Sequence, residues 1–242
     1  MGPADIESLE RATVEGVAPA KVVEIGGWLV PLDDGAIGRA KSAVPLRHDL
    51  DAAAIGDIEA AYWTEGLSPA FRVAEGPGLQ AVREALARRA YVGGKPTVVK
   101  VGDVARLASL RDTPGEILAE PDAAWGAVFL GEGFDPEDGA SRVAALSRSP
   151  DAIYGLAKED GRTVAVGVAT FGHGWAGIHG MRTEARRRGR GLASTVLAAL
   201  GRAIQARGVE RVFLQVEEAN DARSLYRKAG FQEAWRYRYW TR

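Results

Sequence analysis

Cysteine is absent from all 242 residues. That excludes disulfides, thiolate metal sites and a cysteine nucleophile, and it fits a reducing compartment. Histidine is scarce: His48, His173 and His179 share no metal-ligand spacing, so no metal is expected. Neither sign of charge dominates, the formal net charge being −1. No global field therefore recruits nucleic acid or an anionic membrane. No apolar stretch is long enough to span a bilayer, and the polar, acidic residues 1–10 have no apolar core of signal-peptide length. The expected location is cytoplasmic. What remains is an ordinary globular balance, 46% hydrophobic and 26% charged residues, in a chain long enough for one large or two small domains.

The chain is organised around Arg186-Arg187-Arg188-Gly189-Arg190-Gly191-Leu192-Ala193. Two glycines sit between arginines where an extended segment, residues 174–183, gives way to a helix. Leu192, Val196, Leu197, Leu200 and Ile204 then recur on one helical face, and Gly208 supplies a stop. Glycines let the backbone turn tightly and approach a ligand. The first helical turn offers unpaired N–H groups and a partial positive charge. Together these can cradle phosphate oxygens, although the same residues also suit a solvated turn. Residues 209–216 follow as a strand, with Val212, Leu214 and Val216 alternating against Arg211, Phe213 and Gln215. Asn220 comes next, then Leu225-Tyr226-Arg227-Lys228-Ala229-Gly230-Phe231.

Strand, R-G-R-G-L-A, amphipathic helix, strand, asparagine, then L-Y-x-K-x-G-F: in this order the chain resembles the GNAT family of acetyl-CoA-dependent N-acetyltransferases over residues 150–240. The resemblance implies an α/β GNAT fold, a mixed and mostly antiparallel sheet flanked by helices, splayed between two strands to admit coenzyme A. It implies acetyl transfer from acetyl-CoA to a primary amine of a small molecule or peptide. Transfer would be direct, in a ternary complex, since no cysteine can carry the acyl group. It also implies cofactor contacts at the backbone of Met181, Arg182 and Thr183, and around Arg188, Gly189, Arg190, Gly191, Leu192, Ala193 and Ser194. Asn220 would hold the cofactor arm or the helix start. Tyr226 matches the family's proton donor to the departing thiolate, against a plain core-packing reading. The family's glutamate position is Gln215, which cannot take a proton; Glu217, His179 or a water chain could serve instead. Gln215, and an Asn220-to-Tyr226 spacing one residue shorter than the family's usual one, leave open a non-catalytic acetyl-CoA-binding sensor or scaffold. No metal, nucleic acid or membrane partner is implied.

Arg111-Asp112-Thr113-Pro114-Gly115 marks the expected domain boundary, between residues 1–113 and a GNAT domain at 114–242. The first part reads as a smaller α/β domain. It has an antiparallel hairpin over residues 22–46 turning at Asp33-Asp34-Gly35, helices over 52–66 and 77–89, and strands over 71–74 and 97–101. Leu86-Ala87-Arg88-Arg89-Ala90-Tyr91 echoes residues 225–231, either as a common helix ending or as the trace of a degenerate GNAT-like repeat. It lacks an R-x-x-G-x-G/A loop and is expected to bind no cofactor. Residues 22–46, with Arg39 and Ser42, either wall the acceptor site or only cover the sheet. In the second part, residues 125–130 read as helix or strand and 136–147 as a helix. A hairpin turns at Glu159-Asp160-Gly161, and a final strand alternates through Phe231, Glu233, Trp235, Tyr237 and Tyr239.

Overall fold

The computed structural model describes residues 1–242. Its first element is a helix that composition concealed, α1 (Pro3–Gly16), in the segment read only as polar and acidic. Pro3 occupies its first turn and the Gly2 amide donates to Asp5 Oδ2 at 3.1 Å, ordinary helix-start features. Its buried stripe mixes Leu9, Ala12 and Val14 with Glu10 and Thr13, which dilutes the hydrophobic period. Next, β1 (Lys21–Ile25) and β2 (Trp28–Leu32) form a hairpin. Its turn lies at Gly26-Gly27, with φ of 55° and 80°; the chain also returns antiparallel after Asp33-Asp34-Gly35, as expected, but pairs only at Trp28–Pro45 and Leu29–Val44. Positive φ at both Gly26 and Gly27 is the type I′ geometry, whose twist matches that of the strands. After Gly35 come a 3-10 turn (Gly38–Ala40) and the two-residue β3 (Val44–Pro45), paired to β2.

The elements α2 (Ile55–Thr64), β4 (Phe71–Ala74) and α3 (Gln80–Arg88) follow the sequence periodicity. The next strand, β5 (Val92–Asp103), outruns the expected residues 97–101 at both ends. Then come α4 (Val104–Ala108), the short edge strand β6 (Glu116–Leu118), α5 (Ala123–Ala127) and α6 (Pro136–Ser147). The ambiguous run at Trp125 is thus helical at its start. The remaining elements are β7 (Ala152–Glu159), β8 (Arg162–Gly172), β9 (Trp175–Thr183), α7 (Leu192–Ala206), β10 (Arg211–Glu217), α8 (Arg223–Lys228) and β11 (Gln232–Thr241).

Three strands form a small sheet, β1-β2-β3, and eight form a large one, β4-β11-β5-β10-β9-β8-β7-β6. Every neighbouring pair in the large sheet is antiparallel except β9 with β10. On one face α7 packs Val196, Leu200 and Ile204 against Ile178, Val212 and Leu214. On the other, Leu9 and Ala12 of α1 pack with Trp175, Phe213 and Val99. Successive strand residues point to opposite faces, so β10 is covered on both sides. Phe213 is fully buried, and the alternation of β10 separates two covered faces, Val212, Leu214 and Val216 on the α7 side and Phe213 and Gln215 on the α1 side.

The two parts of the chain run through the same order of elements. β1-β2-β3, α2, β4, α3, β5 is matched by β7-β8-β9, α7, β10, α8, β11. A parallel bridge links Ala43, just before β3, to Phe71 of β4, and β9 pairs with β10 in parallel. Both α3 and α8 end with a left-handed residue, Ala90 (φ 62°) and Gly230 (φ 90°). Both also end with an amide reaching back, Tyr91 to the Leu86 carbonyl at 3.1 Å and Phe231 to the Tyr226 carbonyl at 2.9 Å. This is the Schellman pattern. The order β4-β11-β5-β10 is symmetric under exchange of β4 with β10 and β5 with β11. Strands from before and after the Arg111–Gly115 break therefore share one sheet.

Candidate functional site

The parallel pair β9 and β10 is joined only at Ala176–Val212, Gly177–Phe213 and Ile178–Leu214. Yet β9 runs on to Thr183 and β10 to Glu217. Beyond Ile178 their facing edges have no partner strand, and backbone N–H and C=O groups border a gap. A register shift of β8 against β9 around Gly180 produces the divergence, a bulge that bends one strand from its neighbour. Met181, Arg182 and Thr183 lie on this diverging end. Met181 packs toward α7, whereas the Arg182 guanidinium stacks 4.0 Å from the Phe134 ring centre and 5.3 Å from that of Phe129.

Beside the gap, a 3-10 turn (Ala185–Arg187) leads to Gly189 and Gly191, with φ of 78° and 80°. The amides of residues 189–194 donate to no group of the chain; Thr195, bonded to the Gly191 carbonyl at 3.1 Å, is the first to do so. They open a helix of 15 residues, whose dipole adds positive potential there. The arginines split by partner. Arg187 and Arg190 share Glu159, Arg186 meets Glu132 at 2.9 Å, and Arg188 has no carboxylate and lies 5.8 Å from the Phe134 ring centre. A further arginine joins them from outside the loop. The Arg111 guanidinium lies against Gly191 at the head of α7 and is bonded only to Thr113 Oγ1, at 3.2 Å. In the sequence Arg111 belongs to a break, and no local pattern links it to a loop about 80 residues away.

Asn220 Oδ1 accepts from the Ala222 amide at 2.9 Å, which starts α8. Tyr226 is 8% exposed and packs edge-on to Phe231, with ring centres 6.1 Å apart. Burial pushes its pKa up to about 12, so the phenol stays protonated at neutral pH. Gln215 faces the opposite side of the sheet. Its Nε2 donates to Thr13 Oγ1 at 3.1 Å, and its Oε1 accepts from the Tyr237 hydroxyl at 2.9 Å. Both ends of the amide are thus engaged, one by α1. Glu217 is exposed at the end of β10. Ser42, fully buried, spends its hydroxyl on the Gly38 carbonyl at 2.8 Å and braces the 3-10 turn that carries Arg39.

His179 is 3% exposed, with Nε2 3.1 Å from Thr170 Oγ1 and Nδ1 buried and unbonded. Burial, and then the Arg39 charge, hold its pKa well below the usual histidine value. It is neutral in the folded protein and takes up a proton on unfolding below about pH 6.5. The stability this lends is present above that pH and is lost as pH falls below it, by at most about 1.4 kcal/mol per pH unit. His48, held at about 4 by burial, acts in the same sense. The melting temperature should therefore fall between pH 7.5 and 5.5, and His179→Gln should shrink that fall. An equal fall in the variant would assign it to other groups.

A family model described as "Probable histone acetyltransferase Rv0428c C-terminal" matches residues 3–240. Among solved structures, a GCN5-related N-acetyltransferase from Kribbella flavida superposes with a TM-score of 0.73 at 19% identity, over 98% of this chain and 95% of that one. A functionally unknown conserved protein from Staphylococcus epidermidis gives 0.67 at 13% identity, over 93% and 94%. A tandem GNAT protein from the clavulanic acid biosynthesis pathway gives 0.64 at 15% identity, over 98% and 87%. At these identities the likeness to the solved structures is one of fold. Comparison with curated proteins finds no match.

Proposed function

The chain belongs to the family described as probable histone acetyltransferase Rv0428c C-terminal and has the GCN5-related N-acetyltransferase fold, and on that premise we propose that it moves an acetyl group from acetyl-CoA directly to a primary amine of a small molecule or peptide. The observation that carries this reading is the gap between β9 and β10 beside the free amides that open α7. These features fit the cofactor: an open strand edge suits an amide-bearing arm, and unpaired helix-start amides suit a pyrophosphate. Bound acetyl-CoA supplies the thioester carbonyl that an amine attacks and the sulfur that leaves.

The chain's own residues do the rest. The backbone of Met181, Arg182 and Thr183 pairs with the arm as an added strand would. The amides around Gly189, Gly191, Leu192, Ala193 and Ser194 hold phosphate oxygens. Arg188 and Arg111, which no carboxylate engages, add positive charge there; Arg190 lies on the same loop. Tyr226, kept protonated by burial, gives its proton to the departing sulfur. The amine must lose a proton as it attacks. With Gln215 and His179 both turned inward, the reading assigns this role to Glu217, exposed at the end of β10. Asn220 orients the start of α8 and so positions Tyr226.

Residues 1–113 are read as a degenerate copy of 114–242. Leu86 stands where α8 carries Tyr226, and the segment before α2 has no glycine loop. No helix is long and apolar enough to cross a membrane. The inward engagement of Gln215 favours a second reading, a non-catalytic acetyl-CoA-binding protein. Free-thiol release from acetyl-CoA across a panel of amines separates the two: binding without release for any amine supports the second. The cradle itself is tested at Gly191, where a side chain would strain a left-handed backbone and strike the Arg111 guanidinium. Gly191→Val should weaken acetyl-CoA binding at least about tenfold, or about 1.4 kcal/mol, with the circular dichroism spectrum preserved. Unchanged calorimetric affinity in the folded variant would remove the loop from the cofactor site.

A further inference from the structure

Arg39 carries a buried side-chain nitrogen with no partner. Its Nε is sealed from solvent and unbonded, and its guanidinium forms no ion pair or hydrogen bond with the chain. Other arginines with orphaned nitrogens are at least partly satisfied: Arg72 is joined to Glu10, and Arg223 donates to the Glu218 carbonyl at 2.9 Å. Arg39 as a whole stays partly exposed, and its outer nitrogens, also unbonded, are not sealed as Nε is. A partly buried cation without an anion is costly, and the turn holds it there rigidly. Ser42 ties the Gly38 carbonyl, and Ile37 and Ala40 on either side are locked into a core with Trp125 and Phe129.

The position of Arg39 gives that cost a purpose. A Cβ on neighbouring Gly38 would lie 3.1 Å from the Tyr239 ring. The Tyr239 hydroxyl meets that of Tyr237 at 3.2 Å, and Tyr237 is bonded to Gln215 of β10. The Arg39 charge is felt both by His179 of β9 and by Tyr237. Glu10 feels it too, but is already committed to Arg72. The Arg39 turn thus borders Tyr239, linked through Tyr237 to Gln215 where β10 leaves β9, on the face covered by α1 and opposite the free amides of α7. The two faces are what a direct transfer needs, cofactor on one and amine on the other.

We propose that Arg39 binds a carboxylate of the acceptor, so that the acceptors are small amines that carry a carboxylate, as amino acids do. The planar guanidinium fork matches a carboxylate with two parallel hydrogen bonds. The proposal rests on the acetyltransferase reading and narrows it. Its test compares matched amines with and without the group: phenylalanine with phenethylamine, alanine with ethylamine and lysine with cadaverine. Phosphoethanolamine tests whether any anion suffices.

The carboxylate-bearing member of each reactive pair should have a kcat/KM at least about tenfold higher. In Arg39→Met that ratio should collapse through KM, with acetyl-CoA affinity by calorimetry unchanged. Arg39→Lys, which keeps the charge without the fork, should fold and also lose most of the preference. A ratio near one in the wild type, a ratio unmoved in either variant, or phosphoethanolamine preferred to every amino acid would overturn the proposal and leave acetyl transfer standing. If no amine is acetylated, the acetyltransferase reading fails separately, and binding decides Arg39. Saturation-transfer NMR on the coenzyme A-loaded protein should then show N-acetylphenylalanine bound, N-acetylphenethylamine not, and the signal lost in Arg39→Met. Equal signals from the two compounds would overturn it.

Discussion

Tyr226→Phe should lower kcat by roughly 10²-fold or more, the usual scale for a lost general acid, and leave acetyl-CoA affinity nearly unchanged. The substitution keeps the ring and its edge-on contact with Phe231. The hydroxyl forms no hydrogen bond within the chain, so its removal leaves no orphaned partner, and the melting temperature should hardly move. A donor with a pKa of about 12 is also protonated across the whole neutral range. No loss of rate from its ionisation should therefore appear below about pH 10. Stopped-flow release of free thiol, with acetyl-CoA affinity measured alongside, gives both quantities. Near-normal turnover in a variant that binds acetyl-CoA would return Tyr226 to the packing role its burial also suits.

The second large effect concerns the fold. Arg72→Met should destabilise the protein by about 3–5 kcal/mol, the usual result of removing one partner of a buried ion pair. That is a large part of a typical total of about 5–15 kcal/mol. Arg72 on β4 and Glu10 on α1 are both essentially inaccessible to solvent and are joined to each other. They fasten the first helix to the large sheet. Burial already raises the pKa of Glu10 above the usual carboxylate value. Without Arg72, the folded state should hold Glu10 protonated to a still higher pH. The stability of the variant should therefore fall as pH rises through that range and recover on mild acidification. Adding Glu10→Leu should restore most of the loss, because two apolar groups of similar size replace a charge left alone. Equal losses in the single and double variants, by chemical denaturation, would mean that packing and not charge is at stake.

Much of the second part of the fold is legible in local sequence. Two left-handed glycines before an amphipathic helix, an alternating strand and the ending Ala229-Gly230-Phe231 are local signals. Their backbone requirements and spacing are met within a few residues, so they survive without knowledge of what packs on them. The helices α2 and α3 were legible for the same reason. The rest depends on contacts between distant segments. Helix α1 is held by Gln215 acting on Thr13, 202 positions away, and by Trp175 donating to Ser8, 167 positions away. A helix whose buried face carries Glu10 and Thr13 shows no clear period until its partners are known. Arg111 meets Gly191, the turn at Arg39 meets Tyr239 of β11 through Gly38, and β5 enters between β10 and β11. Each is a contact between distant segments, set by how the two similar halves exchange their last strands. Sequence period records which face of an element is buried. It carries no record of which distant surface covers that face, and on this sheet the second covering, by α1 and the turn at Arg39, lies where the acceptor is proposed to bind.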